Sequence, residues 1–333
     1  MFATKSYKAS DPDEYTHLIR GGRVELVVSG RGVFNASLTR VDLGQLWMQR
    51  GRESLQRTFR VVTPPDRVIL WFLASPQAPM EMLSSPIGHL DLGLLSPGSI
   101  ASQRSAAPSE WAAMSLPAEE FHRYSTILTG KEVLSHEIPQ VLRPSQQPLL
   151  ARLRRLHRAA IDLSELAQEV LSHPNAATGL QQHLIEAAFG VLAHADDQIS
   201  VPGHHRQRIM ARFEALIEAN ADRVLFVTEV CEAIGVTGRT FYNCCMHDLG
   251  MSAHRYLSLR RLHQAHWVLR MADPANTTVT EVATRYGFWE LGRFSRIYRE
   301  LFQESPSETL RQPAGGRLHD KNVFAEREFS KSA

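Results

Sequence analysis

The sequence predicts an α+β chain whose two halves differ in kind. Three observations carry this. Residues 20–103 hold short Val-, Leu- and Phe-rich runs separated by Gly, Pro and Ser, the pattern of closely spaced strands. From residue 116 onward, apolar residues recur at helical spacing. The stretch 227–257 then recurs at 279–310, which marks an internal repeat.

The first half supplies "RVELVVSG", "GVFNASLTRV", "LGQLWMQ", "RVILWFLA" and "IGHLDLGLL". Several short, partly alternating strands of this kind form a sandwich or small barrel. Helices follow. "LPAEEFHRYSTILTG" (116–130) has proline in its first turn. The stretch 148–171 places Leu149, Leu153, Leu156, Ala160 and Leu163 along one stripe. A third strong helix covers 179–195. These last two either pair with a second copy of the chain or pack on the chain's own sandwich. "DDQISVPGHHRQ" (196–207) is polar, contains Pro-Gly and reads as a linker. The segment 312–333 reads as a loose tail. The expected organisation is a β-rich region 1–115, a helical dimerisation or support segment 116–195, the linker, a helical domain 208–311 and the tail.

Composition removes several classes. The 333 residues are 43% hydrophobic and 22% charged, as in a globular chain of about two domains. The longest clean apolar run is "VILWFLA" at 68–74, well short of the ~18 residues a spanning helix needs. The N-terminus lacks the apolar core of a signal peptide. Cys231, Cys244 and Cys245 are the only cysteines and all lie late, which points to a reducing, cytoplasmic setting rather than a disulfide framework. No phosphate loop or nucleophile elbow is present: "GLLSPGS" at 93–99 has neither the spacing nor the context. No catalytic residue, cofactor or resident metal is expected, and the chain does not read as an enzyme.

Net charge is only +2, but from 206 to 311 every Lys or Arg is arginine, whose planar fork suits phosphates and guanine edges. Biased residue usage explains this equally well. The repeat is more specific. Both copies begin "VTEV", and Gly235 matches Gly287. One extra residue then enters the second copy. After it, Phe241 matches Phe294, Leu249 matches Phe302, Ser252 matches Ser305 and Leu257 matches Leu310. Each copy reads as helix, Gly-containing turn, helix: a helix-turn-helix. Thr237 is placed to cap the second helix of the first copy, and Thr280 the first helix of the second copy. Phe241 and Cys245 point inward, as do Phe294 and Tyr298. Thr237, Arg239, Thr240, Tyr242 and Asn243 in one copy, and Leu291, Gly292, Arg293, Ser295 and Arg296 in the other, are the candidate DNA-binding residues. The joining helix carries Leu259, Leu262, Ala265, His266 and Leu269 on one stripe. Its ~24–27 Å length suits two recognition helices about one DNA turn apart.

These stretches resemble the AraC/XylS transcriptional regulators. The match rests on "GVTGRTFYNCCMHDLGMSAHRYLSLRRLHQAHWVLR" and on "TVTEVATRYGFWELGRFSRIYRELFQESPSETL", in which Ala283, Gly287, Phe288, Phe294, Ser295, Arg296, Tyr298, Arg299, Phe302, Ser305 and Pro306 fall at signature positions. The resemblance implies seven helices from about 207, promoter binding by two recognition helices, and activation through RNA polymerase. It also implies an N-terminal β-sandwich or cupin-like domain that binds a small-molecule effector, and a homodimer. Two positions depart from the family: Asn243 stands where arginine is usual, and Cys245 where a large aromatic is usual. Arginine replaced by asparagine loses a phosphate or guanine contact, and asparagine reads adenine better.

In the first half, Trp47, Trp71, Phe72 and Phe34 line an effector pocket or are simply core. Arg50, Arg52, Arg57 and Arg60 anchor an anionic effector or form a solvated strand face. A metal-binding cupin is disfavoured, because His17 and His89 are the only histidines before residue 115. "EEFH" (119–122) and "GHH" (203–205) lack partner ligands. One alternative remains: a metal- or redox-responsive regulator gated by Cys244, Cys245 and His247.

Overall fold

The run 68–74 is apolar throughout because its strand is covered on both faces. Val68, Leu70, Phe72 and Ala74 enter one core, while Ile69, Trp71 and Leu73 enter another. This alternation of strand side chains organises the first part of the protein. The computed structural model describes residues 3–82, 85–130, 139–196, 204–220 and 223–312.

The chain begins β1 (Ala3–Ala9), α1 (Pro12–Leu18), β2 (Arg23–Val28), β3 (Ala36–Leu43), β4 (Leu46–Glu53), β5 (Arg57–Val62) and β6 (Arg67–Leu73). It continues β7 (Met80–Met82), β8 (Ser85–Ile87), β9 (Leu92–Leu95), β10 (Ile100–Ser105) and β11 (Ser109–Pro117). Then come α2 (Ala118–Thr129), β12 (Gln140–Pro144), α3 (Gln147–Leu166), α4 (Gln168–Ser172), α5 (Pro174–Leu192) and β13 (Ala195–Asp196). One sheet has the order β1-β3-β4-β11-β6-β9-β12-β13 and the other β2-β5-β10-β7-β8. Apolar side chains from both sheets meet in a shared core that includes Leu26, Phe59, Trp71 and Trp111, so the fold is a two-sheet sandwich. The expected α+β class is what the chain adopts.

The helix α1 and strand β1 had no clear sequence signal. α1 is seven residues long and depends on its N-cap, Asp11, which accepts from the backbone N–H of Asp13 and Glu14. The helices α3 and α5 pack on the chain's own large sheet: Leu150, Leu153, Ala160 and Ile161 of α3 join Leu184, Ala188 and Phe189 of α5 against Met48, Leu70 and Phe72. The buried centre of α3 is therefore Leu150, Leu153, His157, Ala160, Ile161 and Ser164. Leu149, Leu156 and Leu163 are only half-buried, so the stripe is rotated by one position from the one expected. His157 is in that centre because its ring packs edge-on against Phe72, with centroids 5.4 Å apart. Burial holds its pKa down at about 4, keeping it neutral.

Seven helices follow among the described residues: α6 (His204–Ala219), α7 (Val227–Ile234), α8 (Gly238–Asp248), α9 (Ala253–Met271), α10 (Val279–Arg285), α11 (Leu291–Phe302) and α12 (Pro306–Arg311). Residues 197–203 of the expected linker and 313–333 of the expected tail lie outside the described residues. Two compact units divide the chain: one holds the residues up to Ser29 together with Phe34–Tyr256, and the other holds Gly30–Val33 and the chain from Leu257 onward.

Candidate nucleic-acid interface and effector pocket

The first helix-turn-helix is α7–α8. α7 ends at Gly235, whose φ of 71° is the left-handed value that glycine adopts without strain. Thr237 caps α8 by accepting from the Thr240 N–H at 3.2 Å. Phe241 and Cys245 are fully buried, and Phe241 meets Phe213 of α6 edge-on at 4.9 Å. That leaves Arg239, Tyr242, Asn243 and Met246 exposed on the opposite face of α8, with Thr240 half-buried. Leu249 and then Gly250 (φ 66°) close the helix.

The second copy, α10–α11, repeats this plan. Gly287 has φ 74°, matching Gly235. Phe294 and Tyr298 are buried with Leu262, Ala265 and Leu269 of α9. The Tyr298 hydroxyl donates to Thr309 at 2.8 Å and lies 2.6 Å from Nδ1 of His266, which stacks on Phe302 at 4.0 Å. Ser305 caps α12 with a full capping box to Glu308. Its repeat partner Ser252 accepts from the Arg255 N–H at the start of α9. Leu291, Gly292, Arg293 and Arg296 are exposed on α11, with Ser295 half-buried and Arg293 4.0 Å from Glu290.

One cap differs from expectation. Thr278, not Thr280, caps α10, accepting from Glu281 at 3.1 Å. Thr278 and Glu281 have the Thr-x-x-Glu spacing of an N-cap and N3 pair, and Thr280 sits inside the first turn. Trp289, which motif reading passed over, is 78% exposed beside the start of α11.

The cysteine alternative finds no support among the described residues. Cys244 and Cys245 are buried, and burial pushes all three thiols up, Cys245 most of all. A thiolate is what binds metal or reacts with oxidants. Among the described residues, Cys244, Cys245 and His247 belong to no group of three or more ligands close enough to hold an ion. His247 instead lies 2.8 Å from Asp248.

Between the two sheets is a pocket of about 490 Å³, counting the open solvent at its mouth. Trp47, Phe59, Trp71 and Trp111 supply aromatic walls. Phe72 does not, because strand parity turns it toward the helices. Phe34 is core, edge-on to Tyr15 at 6.0 Å. The four arginines expected to hold an anion are already paired. Arg50 donates to Glu110 at 2.7 Å, Arg52 is 3.4 Å from Glu110, Arg57 is 3.2 Å from Glu53 and Arg60 is 2.8 Å from Glu218. Glu53 also accepts from Tyr15 and Ser109, each at 2.8 Å, and from Trp111 at 2.5 Å. These donors offset the cost of burying the Glu53 carboxyl group. The guanidinium groups of Arg20, which lines the pocket, and of Arg67 each lie 3.4 Å from the Trp47 ring centroid, a double cation–π contact.

The wall formed by β5 and β10 has two faces. Its register pairs Phe59 with Gln103, Arg60 with Ser102 and Val61 with Ala101. Phe59, Val61 and Gln103 line the pocket. On the other face, Arg60 donates to the Glu214 carbonyl at 3.0 Å and to the Glu218 carboxylate, and Ser102 donates to the Glu214 carboxylate. Both glutamates are on α6, the helix packed against α8.

Sandwich and paired motifs define a double helix-turn-helix protein with an appended β domain. The helix-turn-helix domain model matches residues 230–312. The "XylDLEGF operon transcriptional activator 2" of Pseudomonas putida is 31% identical over 122 residues, which are 37% of this chain and 74% of that protein. The chain therefore belongs to the AraC/XylS family of transcriptional regulators. The "Probable thc operon regulatory protein" of Rhodococcus erythropolis is 40% identical over 95 residues, 28% of this chain. The match spans 29% of that relative's length and 32% of another XylDLEGF operon activator. Among solved structures, the AraC-like transcriptional activator CuxR aligns over 80% of this chain and 96% of its own, with 15% identity and a TM-score of 0.43. No helix among the described residues is long and apolar enough to cross a membrane.

Proposed function

We propose that the chain is a sequence-specific DNA-binding transcription regulator that places α8 and α11 in successive major-groove segments of a promoter. One observation carries this reading: two helix-turn-helix copies share turn and core positions, and each leaves a face with arginine and other hydrogen-bonding side chains exposed. The 19 residues of α9 make a helix roughly 28 Å long, enough for each motif to reach its own groove segment about one DNA turn, ~34 Å, from the other. Thr237, Arg239, Thr240, Tyr242 and Asn243 would serve one segment. Leu291, Gly292, Arg293, Ser295 and Arg296 would serve the other. Footprinting on DNA upstream of the controlled genes tests this. Two protected segments on one face of the duplex are expected; protection of a single segment would overturn the paired reading.

The sandwich is the sensory part of this reading, and the regulator an effector-responsive activator. Its support is the two-faced wall: a small molecule against Phe59, Val61 and Gln103 touches the strands whose outer residues hold α6. The family supports a homodimer and contact with RNA polymerase in the cytoplasm, with residues 1–115 sensing, 116–195 supporting or dimerising, and 208–311 binding DNA.

A further inference from the structure

The sandwich pocket is apolar on most sides, yet two of its polar groups have no protein partner among the described residues. Gln103 is 3% exposed, lines the pocket, and its carboxamide has no hydrogen-bond partner among the described residues. That carboxamide opens onto the pocket instead of being sealed in the core, so it is available to a ligand there. Gln49, also at the pocket, differs: it accepts from the Arg20 N–H at 2.7 Å and donates to the Arg20 carbonyl. The Trp71 indole N–H likewise has no acceptor among the described residues, whereas that of Trp111 is taken by Glu53. Between its aromatic walls the pocket thus presents the Gln103 carboxamide, the Trp71 indole N–H and the Ser115 hydroxyl, whose oxygen accepts from Arg67 at 3.0 Å.

Its charges are spent. No aspartate or glutamate lines it, so a cation finds no partner. Arg20 is its one cationic group and already pairs with Asp42 while stacked on Trp47. A buried carboxylate on a ligand would go unpaired, which is costly. The flat walls favour a planar ring, which can stack on them.

We propose that this pocket takes an uncharged aromatic ring bearing an amide edge, a carbonyl beside an N–H, with Gln103 as its hydrogen-bonding partner and Trp71 as a second donor to the carbonyl. The proposal rests on the effector-responsive reading and narrows it to a ligand class. Gln103 accepts the ligand N–H and donates to its carbonyl, so both ends of its carboxamide are used when the site is filled.

The test titrates the full chain with benzamide, benzoate and toluene, read by tryptophan fluorescence and calorimetry. Benzamide should saturate one site and bind at least about 10-fold tighter than benzoate. Gln103→Leu should weaken benzamide by about 10-fold and tighten toluene. That reversal cannot come from misfolding, which weakens both. Benzoate matching benzamide, an unchanged benzamide affinity in Gln103→Leu, or no saturable benzamide binding would each overturn the proposal. The effector-responsive reading fails separately, if Ala113→Leu, which adds bulk to the pocket wall, leaves the output of a reporter promoter unchanged across growth conditions that move the wild type.

Discussion

Arg60 of β5 donates to the Glu218 carboxylate of α6 at 2.8 Å, although the Arg60 side chain is only 5% exposed. Beside this pair is Glu214, whose carboxyl is pushed up to about 7, first by burial and against the lowering effects of Ser102 and Arg60. A folded pKa above the ordinary 4.5 means the native state holds the proton more tightly than the unfolded one. The resulting stabilisation is full below about pH 4.5 and is lost as pH rises through about 7. It amounts to at most about 3 kcal/mol. The thermal midpoint should therefore fall more steeply between pH 5 and 8 in the wild type than in Glu214→Gln. Identical slopes would show that Glu214 is not the titrating group.

The two recognition helices should contribute unequally to DNA affinity. Arg296 is exposed on α11, and Asn243, a shorter and uncharged side chain, is exposed on α8. Arg296→Ala should cost ~1–3 kcal/mol of binding on the target promoter, and Asn243→Ala less. Fluorescence anisotropy at fixed salt measures both. Equal losses would remove the asymmetry.

Trp289 is 78% exposed, so Trp289→Ala should change stability by less than about 0.5 kcal/mol. The side chain adjoins α11, and its loss should still weaken DNA binding. Thermal unfolding and anisotropy on one preparation separate the two effects. Unchanged affinity would confine Trp289 to the surface away from DNA.

Thr278→Ala should destabilise the second unit by about 1 kcal/mol, because it removes the cap of α10. Thr280→Ala should be close to neutral, since alanine is the better helix former at an exposed first-turn position. Denaturant unfolding of both variants decides which threonine is the cap.

The helix-turn-helix half was legible because it is written twice. A residue read one way in the first copy could be checked in the second: Gly235 against Gly287, Ser252 against Ser305, Phe241 against Phe294. Cys244 and Cys245 yielded to the same comparison, since Cys245 occupies the buried place of Tyr298. The sandwich offered no second copy. Its strands were visible as apolar runs, but a one-residue change of parity exchanges the two faces. Trp71 and Phe72 are adjacent, and only pairing with β11 and β9 sends Trp71 to the pocket and Phe72 to the helices. Gln103 was invisible for a related reason: a glutamine in a short strand reads as solvent-facing until the opposite sheet closes over it. Arg60 looked like an anion anchor because the glutamates that claim it are about 150 positions later in the chain.

The wall of β5 and β10 has a consequence for how such a regulator changes over time. Phe59, Val61 and Gln103 alternate with Arg60 and Ser102 along the same two strands. On the effector-responsive reading, substitutions at the first set would alter which molecule is recognised. Substitutions at the second alter how firmly α6 is held. Two properties that natural selection must tune separately are thus encoded by neighbouring codons without sharing a side chain. On that reading, a lineage could acquire a new signal and keep its output, or reset its output and keep its signal, one substitution at a time.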